Sequence, residues 1–222
     1  MIHFIIEKEF KEACPHFRGV AIFADITNSL LSKSLWEEIN LTTQNLRQEY
    51  TTEDIKLLNP IKATRALYRT LGKDPSRYRP SAEALLRRIL QSKALYQINT
   101  AADLINLASM EHGYSIGGFD LDKIQGDCIS LGVGKKEEPY EGIGRGTLNI
   151  ENMPVYRDAA GGFGTPTSDH ERTKLNISTK NLLAIVNGHD GNLGNTTACA
   201  KRIVELSQKY CHCQSCKIIT FE

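Results

Sequence analysis

Apolar positions recur along this chain in two rhythms. From Val20 to Ile26 they run almost unbroken, as VAIFADI, which has the length and character of a buried strand closed by Asn28 and Ser29. Beyond it Trp36, Ile39, Leu46 and Tyr50 return at helical spacing, and Ser34 with Glu37 three residues later forms a capping box for that helix. Asn59-Pro60 opens a second helix that ends at Gly72. Pro75 and Pro80 bracket a stiff connection, after which Ser81 caps a helix carrying Leu85, Leu86, Ile89 and Leu90. Thr100 and Asp103 make a further cap pattern ahead of a helix running to about Met110.

After His112 the texture changes. Glycines punctuate short apolar segments, DCISLGV, TLNI and PVYRD, which read as strands and turns. Residues 159–173 form a Gly/Ser/Thr-rich loop, KLNIS and LLAIVNG read as strands, and an amphipathic helix over about 196–210 precedes a last strand, KIITFE. The chain therefore reads as α+β. A helix-rich part with one strand (1–113) is followed by a β-rich part with a closing helix and strand (114–222), and the change near 113 is one of texture and not a domain boundary. No repeat of 20–50 residues interrupts this plan.

Composition adds a class. At 222 residues, 41% hydrophobic and 24% charged, the sequence is that of a globular protein, and no run approaches the ~20 apolar residues a membrane span needs. The start, MIHFIIEKEF, lacks the basic and apolar pattern of an export signal, so a cytoplasmic location is expected, with reduced cysteines. The net charge of +1 hides an asymmetry: residues 62–88 hold eight Lys or Arg against two acids. Lys62, Arg65, Arg69 and Lys73 are spaced to share one helix face, and Arg77, Arg79, Arg87 and Arg88 extend the charge. Such a row suits either a solvated face or contact with the phosphates of a nucleic acid.

Candidate chemistry is sparse. Asp103, near a helix start, can accept backbone N–H groups, whereas Asn106 lies a turn further in, where an amide is mildly unfavourable and wants a partner. The stretch around Gly161 and Gly162 is able to offer backbone N–H groups to an oxyanion, and His170, Glu171 and Arg172 are candidate substrate contacts. No metal or other cofactor is expected. Cys211, Cys213 and Cys216 lack a second ligand pair, and His170, His189, Asp190 and Asp158 follow no hydrolytic metal motif.

RPSAEALLRRIL (79–90) and YQINTAADLINLASMEHGYSIGGFDLDKIQGD (96–127) resemble the B3/B4 editing domain of the bacterial phenylalanyl-tRNA synthetase β-subunit. The matching positions are Ile98, Asn99, Asp103, Asn106, Phe119 to Ile124, and Gly126, within a likeness covering roughly 65–187. The resemblance implies a barrel-like β-structure with helices, a single domain over 1–222 and a free-standing protein. It implies binding of tRNA through its aminoacylated end, with neither DNA nor a membrane as partner, and hydrolysis of misacylated tRNA in trans. A non-catalytic tRNA- or RNA-binding module is the alternative. Asn106 would orient substrate or water, Gly161–Gly162 would meet the oxyanion, and the basic helix would grip the acceptor stem. The family's pocket is altered here, because a Thr is replaced by Ile105, a His by Gly117, and a hydroxyl-reading Glu falls near Lys174.

Overall fold

The structure, a computed structural model, describes residues 2–222. In chain order it runs β1 (His3–Ile6), α1 (Lys8–Ala13), β2 (Arg18–Asp25), α2 (Lys33–Glu49), α3 (Asn59–Thr70), α4 (Ser81–Leu90), α5 (Thr100–His112) and β3 (Ile116–Asp120). It continues through β4 (Cys128–Val133), β5 (Glu141–Gly142), β6 (Gly146–Thr147), β7 (Pro154–Asp158), β8 (Gly161–Gly164), β9 (Asn181–Gly188), α6 (Leu193–Tyr210) and β10 (Cys216–Phe221).

One four-stranded sheet is ordered β10-β2-β9-β3 with every pair antiparallel, and a second is ordered β1-β4-β7-β8 with β1 and β4 parallel. The strand period of two sorts side chains between two cores. Val20, Ile22 and Ala24 of β2, with Leu182, Ala184 and Val186 of β9, pack against residues of α2, α4, α5 and α6. The alternate positions, Ala21 of β2 with Leu183 and Ile185 of β9, meet Ile129, Leu131, Tyr156 and Phe163 of the second sheet. The result is three layers, helices on sheet on sheet. Burial of β2 on both faces is why its sequence reads as a continuous apolar run and not an alternating one. No helix is long and apolar enough to cross a membrane among the described residues.

The expected α+β content is present, but the barrel-like closure is not. Each four-stranded sheet keeps two edges, β10 and β3 in one, β1 and β8 in the other, and β5 and β6 form a separate two-stranded sheet. Layers also draw on both parts of the chain, since β1 and β2 join strands from beyond residue 113 while α6 packs against α5.

Helix starts shift by a residue or two from expectation. Ser32, not Ser34, caps α2 by accepting from Leu35 N, and Asn99, not Thr100, caps α5 by accepting from Ala102 N at 3.0 Å. In both, the capping residue is extended, which aims its side-chain oxygen at the free N–H groups of the first turn. Ser81 is the first residue of α4 and makes no cap. Segment 174–178 is not a strand. Asn176 Oδ1 accepts from Ser178 N at 2.8 Å, and Asn176 N donates to Thr179 Oγ1, so side chains claim the backbone for turns. Of TLNI, only Thr147 is in a strand.

Residues 161–164, expected within a loop, form β8. A Cβ on Gly164 would stand 2.5 Å from the Phe119 ring, so glycine here serves close packing between the sheets.

Candidate functional site

A cleft of about 520 Å³ opens among α2, α4, α5, the segment 91–98, and residues 143–145 and 167–168. Its floor is the first turns of α5. Asp103 is buried there, accepting Trp36 Nε1–H at 2.8 Å on Oδ2 and Ile98 N–H at 3.1 Å on Oδ1. Burial raises its pKa above the ordinary carboxylate value, against the opposing effect of those two donors. Asn106, three residues on, lies on the same helix face and lines the cleft half-buried. Among the described residues nothing hydrogen-bonds its side-chain amide.

The walls are cationic. Arg79, Arg87, Arg88, Lys93 and Arg145 line the cleft against one carboxyl group, Asp103. Behind them Glu83 of α4, 2% exposed, accepts from Arg65 Nη1 with both oxygens at 3.0 and 2.8 Å. Arg79 and Arg87, four residues to either side, approach the same carboxylate at 3.5 and 3.7 Å. Arg88 donates to Ala94 O and sets its guanidinium 4.0 Å from the centre of the Tyr96 ring, whose residue is 69% exposed.

The expected basic face on one helix is not continuous. α3 ends at Thr70, and Gly72 (φ +83°) turns the chain so that Lys73 is buried, its Nζ donating to Asn149 O at 2.9 Å and Glu151 O at 2.6 Å. Lys62, Arg69 and Arg77 are exposed, whereas Arg65 is engaged by Glu83. Arg79, Arg87 and Arg88 are the members of the basic stretch that reach the cleft.

The remaining expected residues lie outside the cleft lining. Ile105 is a core residue whose Cδ1 would be 2.7 Å from a Cβ on Gly118, and Gly117 lies buried in β3 beside Phe119. His170 Nδ1 accepts from Arg172 N at 2.9 Å, and burial followed by the Arg172 charge lowers its pKa. Arg172 clamps Asp158 at 3.0 and 2.9 Å and donates to Lys123 O, and Lys174 pairs with Glu171. Gly161 and Gly162 pair with Asp158 and Arg157 across β7 and β8. Cys211 and Cys213 are buried thiols pushed up to about 12 and about 11 by desolvation.

Reading the sequence missed Trp36, Tyr96 and Arg145 as site residues. Tyr96 carried a usable sign, an aromatic residue close to Lys93 and Arg88. Asp169 adjoins Ser168 of the cleft rim, its backbone oxygen accepting from Ile143 N at 3.0 Å. Burial lifts its carboxyl to about 7 although Gly118 N donates to it at 3.1 Å.

The family model of the B3/4 domain matches residues 63–212. No curated protein matches the chain by sequence. Among solved structures, an N-terminal fragment of the phenylalanyl-tRNA synthetase β-subunit from Pyrococcus horikoshii is similar with a TM-score of 0.51 and 18% identity. That likeness covers 98% of this chain and 50% of the fragment, so the chain spans about half the fragment's length, and it is a likeness of fold.

Proposed function

The chain belongs to the B3/4 domain family, and from that premise we propose that it binds tRNA and hydrolyses misacylated aminoacyl-tRNA, with the cleft at Asn106 receiving the aminoacylated end. The observation that carries this reading is the Asn106 amide, set in a helix interior without a partner and ringed by cations. A polymer of phosphates is the natural ligand for such walls, and a synthetase β-subunit fragment with this fold belongs to an enzyme of tRNA chemistry.

The ester between amino acid and ribose is already activated, so the protein has to place a water, align the carbonyl and neutralise the developing oxyanion. The Asn106 amide is suited to orient the carbonyl or the water. With β8 outside the cleft, contact to the oxyanion falls to that amide and to the guanidinium groups, and Gly161 and Gly162 retain a structural part.

A second reading, a tRNA- or RNA-binding module without catalysis, draws on the cleft lining, which holds no His, no Cys and a single carboxyl group engaged by Trp36 and Ile98. Incubation with a panel of misacylated tRNAs, following release of free amino acid, separates the two. Release from at least one tRNA, abolished in Asn106→Ala, is expected. Tight binding without release from any of them would select the binding module.

A further inference from the structure

Between α6 and β10 the chain gathers three of its six cysteines, Cys211, Cys213 and Cys216. His212, at φ +53°, leaves the helix in the left-handed conformation and turns the chain back toward the sheet. Cys216 then pairs with Ala24 of β2, so its side chain takes the same face as Ala24. That face packs on the helices, and Cys211 and Cys213 are buried in the same core. Cys216 itself is exposed. The register therefore sets an accessible thiol beside a covered one, the arrangement in which one sulfur meets an oxidant and the other resolves the product.

The covered thiol has a proton acceptor. Cys213 Sγ lies 3.3 Å from Ser215 O and 3.6 Å from Asp25 Oδ1, either of which can accept its S–H. Asp25 Oδ1 also accepts from Ser215 N at 2.7 Å and Gln214 N at 3.1 Å, and these donors, Ser215 first, hold the carboxyl below its ordinary pKa. Burial, then the charges of Asp25 and Cys216, push the Cys213 thiol up to about 11, so it needs that acceptor to react.

The same turn is tied to the cleft. Asp25 N donates to Ser215 O and Thr27 N to Cys211 O. Three bonds then join this strap to the start of α5: Asn28 Oδ1 accepts from Ala101 N at 3.0 Å, Asn28 Nδ2 donates to Asn99 Oδ1 at 3.1 Å, and Ser29 O accepts from Thr100 N at 2.9 Å. The first turns of α5 carry Asp103, the partner of Trp36 Nε1.

We propose that Cys213 and Cys216 are a dithiol that hydrogen peroxide closes into a disulfide, and that closure shifts the strap 25–29 and with it the floor of the cleft. The Cys216 thiolate attacks one peroxide oxygen, the O–O bond breaks, and the departing hydroxide takes the thiol proton to become water. Cys216 is then a sulfenic acid. Cys213 passes its proton to Asp25 and attacks the Cys216 sulfur; an S–S bond forms as the S–O bond breaks, and the leaving hydroxide collects that proton as a second water. Two thiols are oxidised and one peroxide is reduced. The bond removes the S–H that Asp25 and Ser215 accept and draws Cys213 toward β10.

The intact chain, treated with hydrogen peroxide, should lose two of its six thiols, and peptide mapping should find Cys213 joined to Cys216 within one chain. Trp36 is the single tryptophan and reports on Asp103, so its emission maximum should shift on oxidation and return with dithiothreitol, which does not reverse methionine oxidation. Cys213→Ser and Cys216→Ser should each abolish the reversible shift, and Cys211→Ser should keep it, thermal melts confirming folded chains. A disulfide between two chains, a bond to Cys211, or a Cys216 that stops at sulfenic or sulfinic acid in the parent would overturn the pairing. The Cys213–Cys216 bond with Trp36 emission unmoved would overturn the switch.

Discussion

Arg65 Nη1 donates to both carboxylate oxygens of Glu83, at 3.0 and 2.8 Å, and so ties α3 to α4 behind the cleft. With side chains 15% and 2% exposed, the pair is costly to break from one side. Glu83→Ala leaves three guanidinium groups without a counter-charge and should cost about 3–5 kcal/mol. Arg65→Ala should cost clearly less, since Arg79 and Arg87 stand within 3.7 Å and can close on the carboxylate. Urea denaturation of both variants measures the difference, and equal losses would argue against a shared hub.

That hub also limits which cations are free to meet the tRNA proposed as ligand. Lys62 and Arg69 are exposed, so Lys62→Glu with Arg69→Glu should weaken tRNA binding and lower the salt slope by about 0.7–0.9 for each phosphate no longer neutralised. Lys73→Gln should act on folding instead, because its ammonium is spent on Asn149 O and Glu151 O. A titration of affinity against salt for each variant tells the two effects apart.

Local rules made most of the elements legible. The apolar run from Val20 to Ile26 announced β2, and Asn59-Pro60 announced α3, because buried strands and helix starts are dictated by neighbouring residues. Closure was not legible, since whether two sheets meet edge to edge or face to face depends on partners far apart in sequence, such as Tyr156 against Leu183. The site divided in the same way. Asn106 stood out as an amide out of place in a helix. Arg65 and Lys73 looked like free cations, because Glu83 and the carbonyl groups of Asn149 and Glu151 become their partners only once α4 and the 149–151 turn are folded against α3.

His189 should make the fold acid-labile. Thr64 Oγ1 donates to Pro60 O at 2.9 Å and so accepts from His189 Nδ1, which leaves Nε2 buried without a partner. Burial lowers the folded pKa to about 3 from an ordinary 6.5, so below pH 6.5 the unfolded chain binds a proton that the folded chain refuses. Stability present above pH 6.5 is therefore lost progressively as pH falls toward about 3, by up to about 1.4 kcal/mol per unit from this group. Melting temperatures from pH 7 to 4 should fall less steeply in His189→Gln than in the parent. Parallel curves would show that other groups set the acid limit.

Asn106→Ala offers the sharpest separation of function from structure. In a helix interior alanine is the better residue by a few tenths of a kcal/mol, and Asn106 has no internal hydrogen bond to set against that preference. The substitution should leave stability unchanged or slightly higher. A residue whose removal helps the fold but harms the activity is held in place by its chemistry. If the amide orients the reacting ester, its loss should lower the rate of release on the order of a hundredfold while tRNA affinity, set by the cationic walls, stays near that of the parent. Single-turnover release, equilibrium binding and thermal melts on the same preparation give the three readings. A melting temperature several degrees lower would make Asn106 a structural residue, and release at the parent rate would remove it from the site.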